Sequence, residues 1–183
     1  MISSLIAKYE NWLTGGRLAF LFIIATAIYL VMVLLTLPEL SQKAGGLQMF
    51  DLLPTGYDSP YAMQLLQSLG EDGRWYYLAI QIPLDLLYPG LLSAVLSGAW
   101  LMLLQRGDIT ANSSKTFAIV AILAGLADYG ENLAVATMLI NFPNISQALI
   151  TTASWFTVIK SGLTTIFFIS LTILAGRVFF VKK

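Results

Sequence analysis

The chain has 183 residues, 57% of them hydrophobic and only 11% charged, with ten basic and ten acidic side chains and no net charge. A soluble domain carries about 25% charged residues, and no basic run interleaved with aromatics suggests nucleic acid as a partner. Cysteine and histidine are both absent, which excludes disulfides, iron–sulfur clusters, thiolate nucleophiles, zinc sites built on Cys or His, His-based triads and His-ligated haem. No metal or cofactor is expected.

Residues 1–16 read as an interfacial amphipathic helix. Between Ser3 and Leu13, the side chains of Leu5, Ile6, Tyr9, Trp12 and Leu13 share one face, while Lys8, Glu10 and Asn11 lie elsewhere. Ser3 or Ser4 is a candidate cap, Gly15-Gly16 a bend, and Arg17 the start of the membrane. Residues 18–37 form the first span. This stretch is longer than the roughly 7–15 apolar residues of a signal-peptide core and is followed by no A-x-A site, so it reads as retained. Thr26 and Tyr29, its inner polar groups, share a face.

Pro38 is expected to end that helix. Residues 38–75 then make an outer loop with one short helix. Pro54-Thr-Gly-Tyr57-Asp-Ser-Pro60 is turn chemistry, Ser59-Pro60 an N-cap followed by a first helical position, and Gly70 a helix stop. This segment is either a lid over helix ends or a gate over a cavity.

The second span, residues 76–104, starts at the aromatic belt Trp75-Tyr76-Tyr77. Pro83 and Pro89 each deprive the carbonyl four residues back of its helical partner. For Pro89 that carbonyl belongs to Asp85. Gln81, Asp85, Tyr88 and Pro89 share a face. The third span, residues 116–140, carries Ala121, Ala124, Gly125, Asp128, Glu131 and Asn132 on one stripe, with Leu, Ile, Val and Met opposite. Asn141-Phe-Pro-Asn144 is a tight turn. The fourth span, residues 149–175, puts Ala153, Phe156, Thr157, Lys160, Thr164 and Phe167 on its polar stripe.

The D-x-x-Y-P of the second span, the D-x-x-E-N of the third and the W-F-T-x-x-K of the fourth resemble small uncharacterised four-span bacterial membrane proteins. That resemblance covers the spans and implies no activity. Emopamil-binding sterol isomerases share only size, buried carboxyls and a proline-containing second span, so no residue role is carried over from them.

The expected fold is all-α: a four-helix transmembrane bundle, up-down-up-down, with an extracytoplasmic helical cap between spans 1 and 2. Lys8, Arg17, Arg106, Lys115, Arg177, Lys182 and Lys183 fall on one side of it, and Lys43 and Arg74 on the other. By the positive-inside rule both termini face the cytoplasm.

At 1.5 Å per residue, Tyr29, Asp85, Asp128, Glu131 and Lys160 lie about 12–18 Å below the outer surface, near the middle of a bilayer core about 30 Å thick. One buried polar centre is therefore expected, with Asp85, Asp128, Glu131, Asn132, Lys160, Tyr88, Tyr29 and Gln81 as its candidate residues. Lys160 is expected to pair with Asp128 or Glu131, and Asp85 to hydrogen-bond Tyr88, Tyr29 or Asn132. With three carboxyls against one lysine, at least one carboxyl holds a proton, or a cation or ligand is bound, or water fills a cavity.

Three functions fit such a centre. One is binding of a lipophilic small molecule or lipid, with Asp85 and Glu131 as the acid/base pair if chemistry follows and Lys160 holding an anionic group. Another is a proton- or cation-linked carrier. The last is a non-enzymatic subunit packed on a larger partner. The bilayer is the partner common to all three; a homodimer or partner subunit is left open.

Overall fold

Long apolar runs without strand-length alternation dictate helices, and the computed structural model, which describes residues 2–181, is all-helical with no strand among those residues. Lys182 and Lys183, counted in the charge asymmetry, lie outside the described residues. We label the helices α1 (Ile2–Trp12), α2 (Gly15–Lys43), α3 (Ser59–Arg106), α4 (Asn112–Asn141) and α5 (Gln147–Phe180). The last four are long and apolar enough to cross a membrane. Their outward side chains fit that solvent: Phe20, Ile23 and Leu34 on α2, Leu126 and Leu133 on α4, and Ile169 and Ile173 on α5 are all exposed.

Several boundaries differ from expectation, each for a local reason. Helix α1 starts at Ile2, so Ser3 and Ser4 lie inside its first turn rather than ahead of it. The bend falls at Thr14, whose hydroxyl accepts the Arg17 N–H at 3.2 Å and caps α2; Gly15 and Gly16 are already helical. Asp58, not Ser59, caps α3 by accepting the Tyr61 N–H at 2.9 Å.

Pro38 does not end the first long helix, which runs on to Lys43. The turn before it, Met32–Thr36, is π-helical, with the Leu37 N–H bonded to the Met32 carbonyl. Widening the turn moves the carbonyl that the proline ring would otherwise strike. The same device precedes Pro83: Tyr77–Gln81 is π-helical, and the Ile82 N–H reaches the Tyr77 carbonyl. The short loop helix does stop at Gly70, as expected: its φ of 63° and ψ of −174° are non-helical, a conformation only glycine adopts freely. A second helical segment leads from there directly into the second span, so the stretch labelled α3 is two helices meeting at a break.

Two apolar cores result. One joins the 38–75 segment to the long helices: Leu40, Met49, Phe50, Leu65 and Leu66 are fully buried against Met138, Leu139, Ile150 and Ala153. The other gathers Trp100, Phe117 and Phe167, with ring centroids 4.7–5.7 Å apart, around Leu101, Leu104 and Ala121. Helix α4 packs along α5 on one side and α3 on the other, and α2 packs along α3. The small-residue stripe of α4 makes this close approach: a Cβ on Gly125 would stand 3.2 Å from the Pro89 carbonyl oxygen of α3, and one on Gly130 would stand 2.7 Å from the Phe156 ring of α5.

Candidate functional site

Between the two apolar cores lies a band of buried polar side chains: Gln81, Asp85, Glu131, Asn132 and Thr157, each 5% exposed or less. The helical spacing of α4 puts Asp128, Glu131 and Asn132 on one face, and α5 lies against that face. Lys160 of α5 bridges two of them, with Nζ 3.1 Å from Asp128 Oδ1 and 2.5 Å from Glu131 Oε2. The pairing expected with one carboxylate or the other is thus made with both. The Thr157 hydroxyl, one turn earlier on α5, donates to Glu131 Oε1 at 2.6 Å. Lys160 is therefore engaged by two carboxylates, which leaves one of its three N–H donors.

Asp85 joins through its backbone. Pro89 leaves the Asp85 carbonyl without a helical donor, and Asn132 Nδ2 supplies one at 3.0 Å, its other contact being Asp128 Oδ1 at 3.5 Å. Of the three partners expected for Asp85, Asn132 is the one found, and it serves the carbonyl rather than the carboxyl. The Asp85 side chain, itself buried, sits in the field of Asp51, Asp128, Glu131 and Lys160.

The remaining sequence candidates stand further out. Tyr29 and Tyr88 stack on one another with centroids 5.7 Å apart; Tyr29 is 46% exposed, so α2 contributes an aromatic flank rather than a buried polar group at this level. Gln81 is fully buried one turn above Asp85. Its Oε1 accepts from the Thr36 hydroxyl of α2, which ties the two π-helical turns together, while its Nε2 makes no hydrogen bond among the described residues.

Three residues enter that sequence reasoning did not place here. Asp51, in the 3₁₀ turn Phe50–Leu52, accepts from Tyr77 Oη at 3.1 Å and faces the carboxyls below. Tyr57 packs its ring on Phe50 at 4.6 Å, and its hydroxyl is buried beside Thr157 and Glu131 without a hydrogen bond of ordinary geometry. Burial, with the Glu131 carboxylate adding to it, pushes that phenol above its ordinary range. Thr157 was visible only as a member of the α5 stripe. The signal for Asp51 was present in the apolar run Leu47-Gln-Met-Phe-Asp51-Leu-Leu, which is too hydrophobic for a solvated loop.

No protein family matches the chain, and no curated protein or solved structure is significantly similar to it. The chemistry of the centre is thus argued from its own residues. The centre holds four carboxyls, Asp51, Asp85, Asp128 and Glu131, around a single ammonium. Among the described residues no set of three or more acidic side chains converges in a way that could hold a metal ion. The arrangement offers hydrogen-bond acceptors, an excess of acid groups, and one lysine already committed.

Proposed function

We propose that this chain is a multi-pass protein of the cytoplasmic membrane, a four-helix bundle running up-down-up-down. The 38–75 segment forms its extracytoplasmic cap, and both termini face the cytoplasm. The four candidate spans and the excess of lysine and arginine at Lys8, Arg17, Arg106, Lys115 and Arg177 support this placement.

Within it, the centre binds a lipophilic small molecule or lipid, with Asp85 as the group facing the ligand. The observation that carries this reading is the charge imbalance. Helix packing in a membrane runs on small residues and hydrogen bonds and requires no excess of ionisable groups. Here Lys160 already has two carboxylates, and Asp85 stands beside them, buried on the facing helix, with no cation of its own among the described residues. Apolar cavities of about 360 and 310 Å³ lie along the α3–α4 seam below, sharing Tyr9, Ser97 and Ile122, and have room for a hydrocarbon tail. Native mass spectrometry from mild detergent tests it: the wild type retains a bound lipid or lipophilic molecule, and Asp85→Asn, folded to the same extent, retains none. Equal retention by the two proteins refutes the assignment.

The same imbalance also favours a second reading, a proton- or cation-linked carrier. In proteoliposomes that function gives a proton flux abolished by Asp85→Asn, with no retained ligand.

A further inference from the structure

On the face of the 38–75 segment, a crevice of about 440 Å³ is bounded by Thr55, Gly56, Asp58, Tyr61 and Ser154. Tyr57 also lines it. The same tyrosine carries its hydroxyl to the buried side, next to Thr157 and Glu131. One side chain thus stands between an open crevice and the polar centre. We propose that this crevice is the aqueous entrance to the centre, that the Tyr57 ring is its plug, and that what passes is cationic. The proposal rests on the reading of the centre as a binding or proton-exchange site.

The loop is fixed to α5 through its backbone. The Tyr57 N–H donates to Ser154 Oγ at 2.9 Å, and a Cβ on Gly56, at φ +84°, would lie 2.6 Å from that oxygen and 3.0 Å from Val158 Cγ2. The chain therefore lies directly on the helix at this point. The ring beyond it is held chiefly by packing on Phe50, since the hydroxyl has only a loose contact with Thr157, whose own hydroxyl is already given to Glu131. A buried hydroxyl so weakly partnered is better hydrated outside, so swinging out costs packing and recovers solvation. Ser154 and Thr157, three residues apart on α5, mark the two sides of the plug about 4.5 Å from one another along the helix. Asp58 in the crevice lining and Asp51 acting on the buried carboxyls put an acidic group at each end of this route, while Lys160 is screened by its two carboxylates.

The absence of cysteine makes the test direct, because one introduced cysteine is the sole thiol in the chain. Thr55→Cys reports the crevice, and Thr157→Cys reports the centre. Each is combined with native Tyr57, Tyr57→Phe or Tyr57→Ala in sealed vesicles. Two methanethiosulfonates of similar size, one with a trimethylammonium and one with a sulfonate head, are applied to each side in turn. The thiol at position 55 is labelled at one rate in all three backgrounds. The thiol at position 157 is labelled slowly with native Tyr57 or with Tyr57→Phe. With Tyr57→Ala it is labelled about ten-fold faster or more, only from the side that labels position 55, as the population of the open state rises. The ammonium reagent gains more over the sulfonate at position 157 than at position 55. No acceleration with Tyr57→Ala, acceleration from the opposite side, or preference for the sulfonate overturns the proposal. If the Tyr57→Ala protein does not elute as a monodisperse peak, Tyr57→Val is read by the same criteria. Labelling is scored without any ligand, so loss of ligand binding with the labelling pattern intact removes the function proposed above and leaves the entrance standing.

Discussion

Replacing Lys160 by methionine is the sharpest perturbation of this molecule. Methionine keeps the length and apolar stem of lysine and deletes only the ammonium. Asp128 and Glu131 then lose their shared cation, and they do so unequally. The Glu131 side chain is 1% exposed and keeps one hydrogen bond, from Thr157; the Asp128 side chain is 16% exposed and can turn towards water or Asn132. Breaking one partner out of a buried pair costs about 3–5 kcal/mol. At roughly 2–4 °C per kcal/mol for a chain of this size, the melting temperature falls by about 6–20 °C. Asp128→Asn removes one of two carboxylates and leaves Lys160 with Glu131, so its cost is smaller, about 1–3 kcal/mol. The triple variant Lys160→Met, Asp128→Asn, Glu131→Gln leaves no orphan charge and recovers most of the loss, because neutralising a whole buried network is far less costly than breaking it. Thermal unfolding in detergent, followed by tryptophan fluorescence, measures all three. A Lys160→Met protein melting within about 2 °C of the wild type, or a triple variant no better than the single, would show that the ion pairs do not carry the stability assigned to them.

Other consequences can be checked independently. Asn132→Ala removes the donor to the freed Asp85 carbonyl and costs about 1–3 kcal/mol. In a Pro89→Ala background, where a helical N–H is restored, the same change costs clearly less, and a double-mutant cycle with no coupling would contradict the role of Asn132. Gly125→Ala drives a methyl to within 2.2 Å of Ser93 Oγ and 3.2 Å of the Pro89 carbonyl and lowers stability by about 1–3 kcal/mol, whereas Gly162→Ala, with nothing within 4 Å, raises it by up to about 1 kcal/mol in the same melting assay. Burial of the Tyr57 phenol raises its folded-state value above the unfolded value of about 10. Its contribution to stability is thus complete below about pH 10 and is lost as pH rises further, so the tyrosinate absorbance of wild type and Tyr57→Phe coincides up to that pH and separates only above it. An earlier separation refutes the burial argument.

What was legible from the sequence follows from which forces act locally. The four long helices declare themselves by apolar length, and the stripes of α4 and α5 by spacing, so Ala121, Ala124, Glu131, Ala153 and Thr157 are buried on the faces expected. The carbonyl freed by Pro89 is also a local consequence of proline chemistry, and it found a donor at Asn132. Pro38 was misread because proline was taken to terminate a helix, whereas a π-helical turn absorbed it, a choice made by the packing of Thr36 against Gln81 forty-five residues away. The contribution of the 38–75 segment was missed for the same reason. The apolar run around Asp51 hinted at burial, but nothing local tells where Asp51 and Tyr57 meet the long helices. Tyr29 shows the opposite limit: depth alone brought it to the centre, but the face of α2 it occupies is exposed.

The division of labour among the helices bears on whether the centre is structural or active. Helices α4 and α5 are regular through the polar level and are locked to one another by Lys160, Asp128, Glu131 and Thr157. Helices α2 and α3 carry the irregular backbone: both π-helical turns that precede prolines, the in-helix Pro89 and the Gly70 break. Asp85 rides on the irregular half and touches the regular half through a single carbonyl–amide hydrogen bond. A cluster serving only as glue would be expected to bind its third acid into the same rigid network. In the reading proposed above, Asp85 is accordingly the acid left to meet a proton or a ligand, outside the network that Lys160 closes.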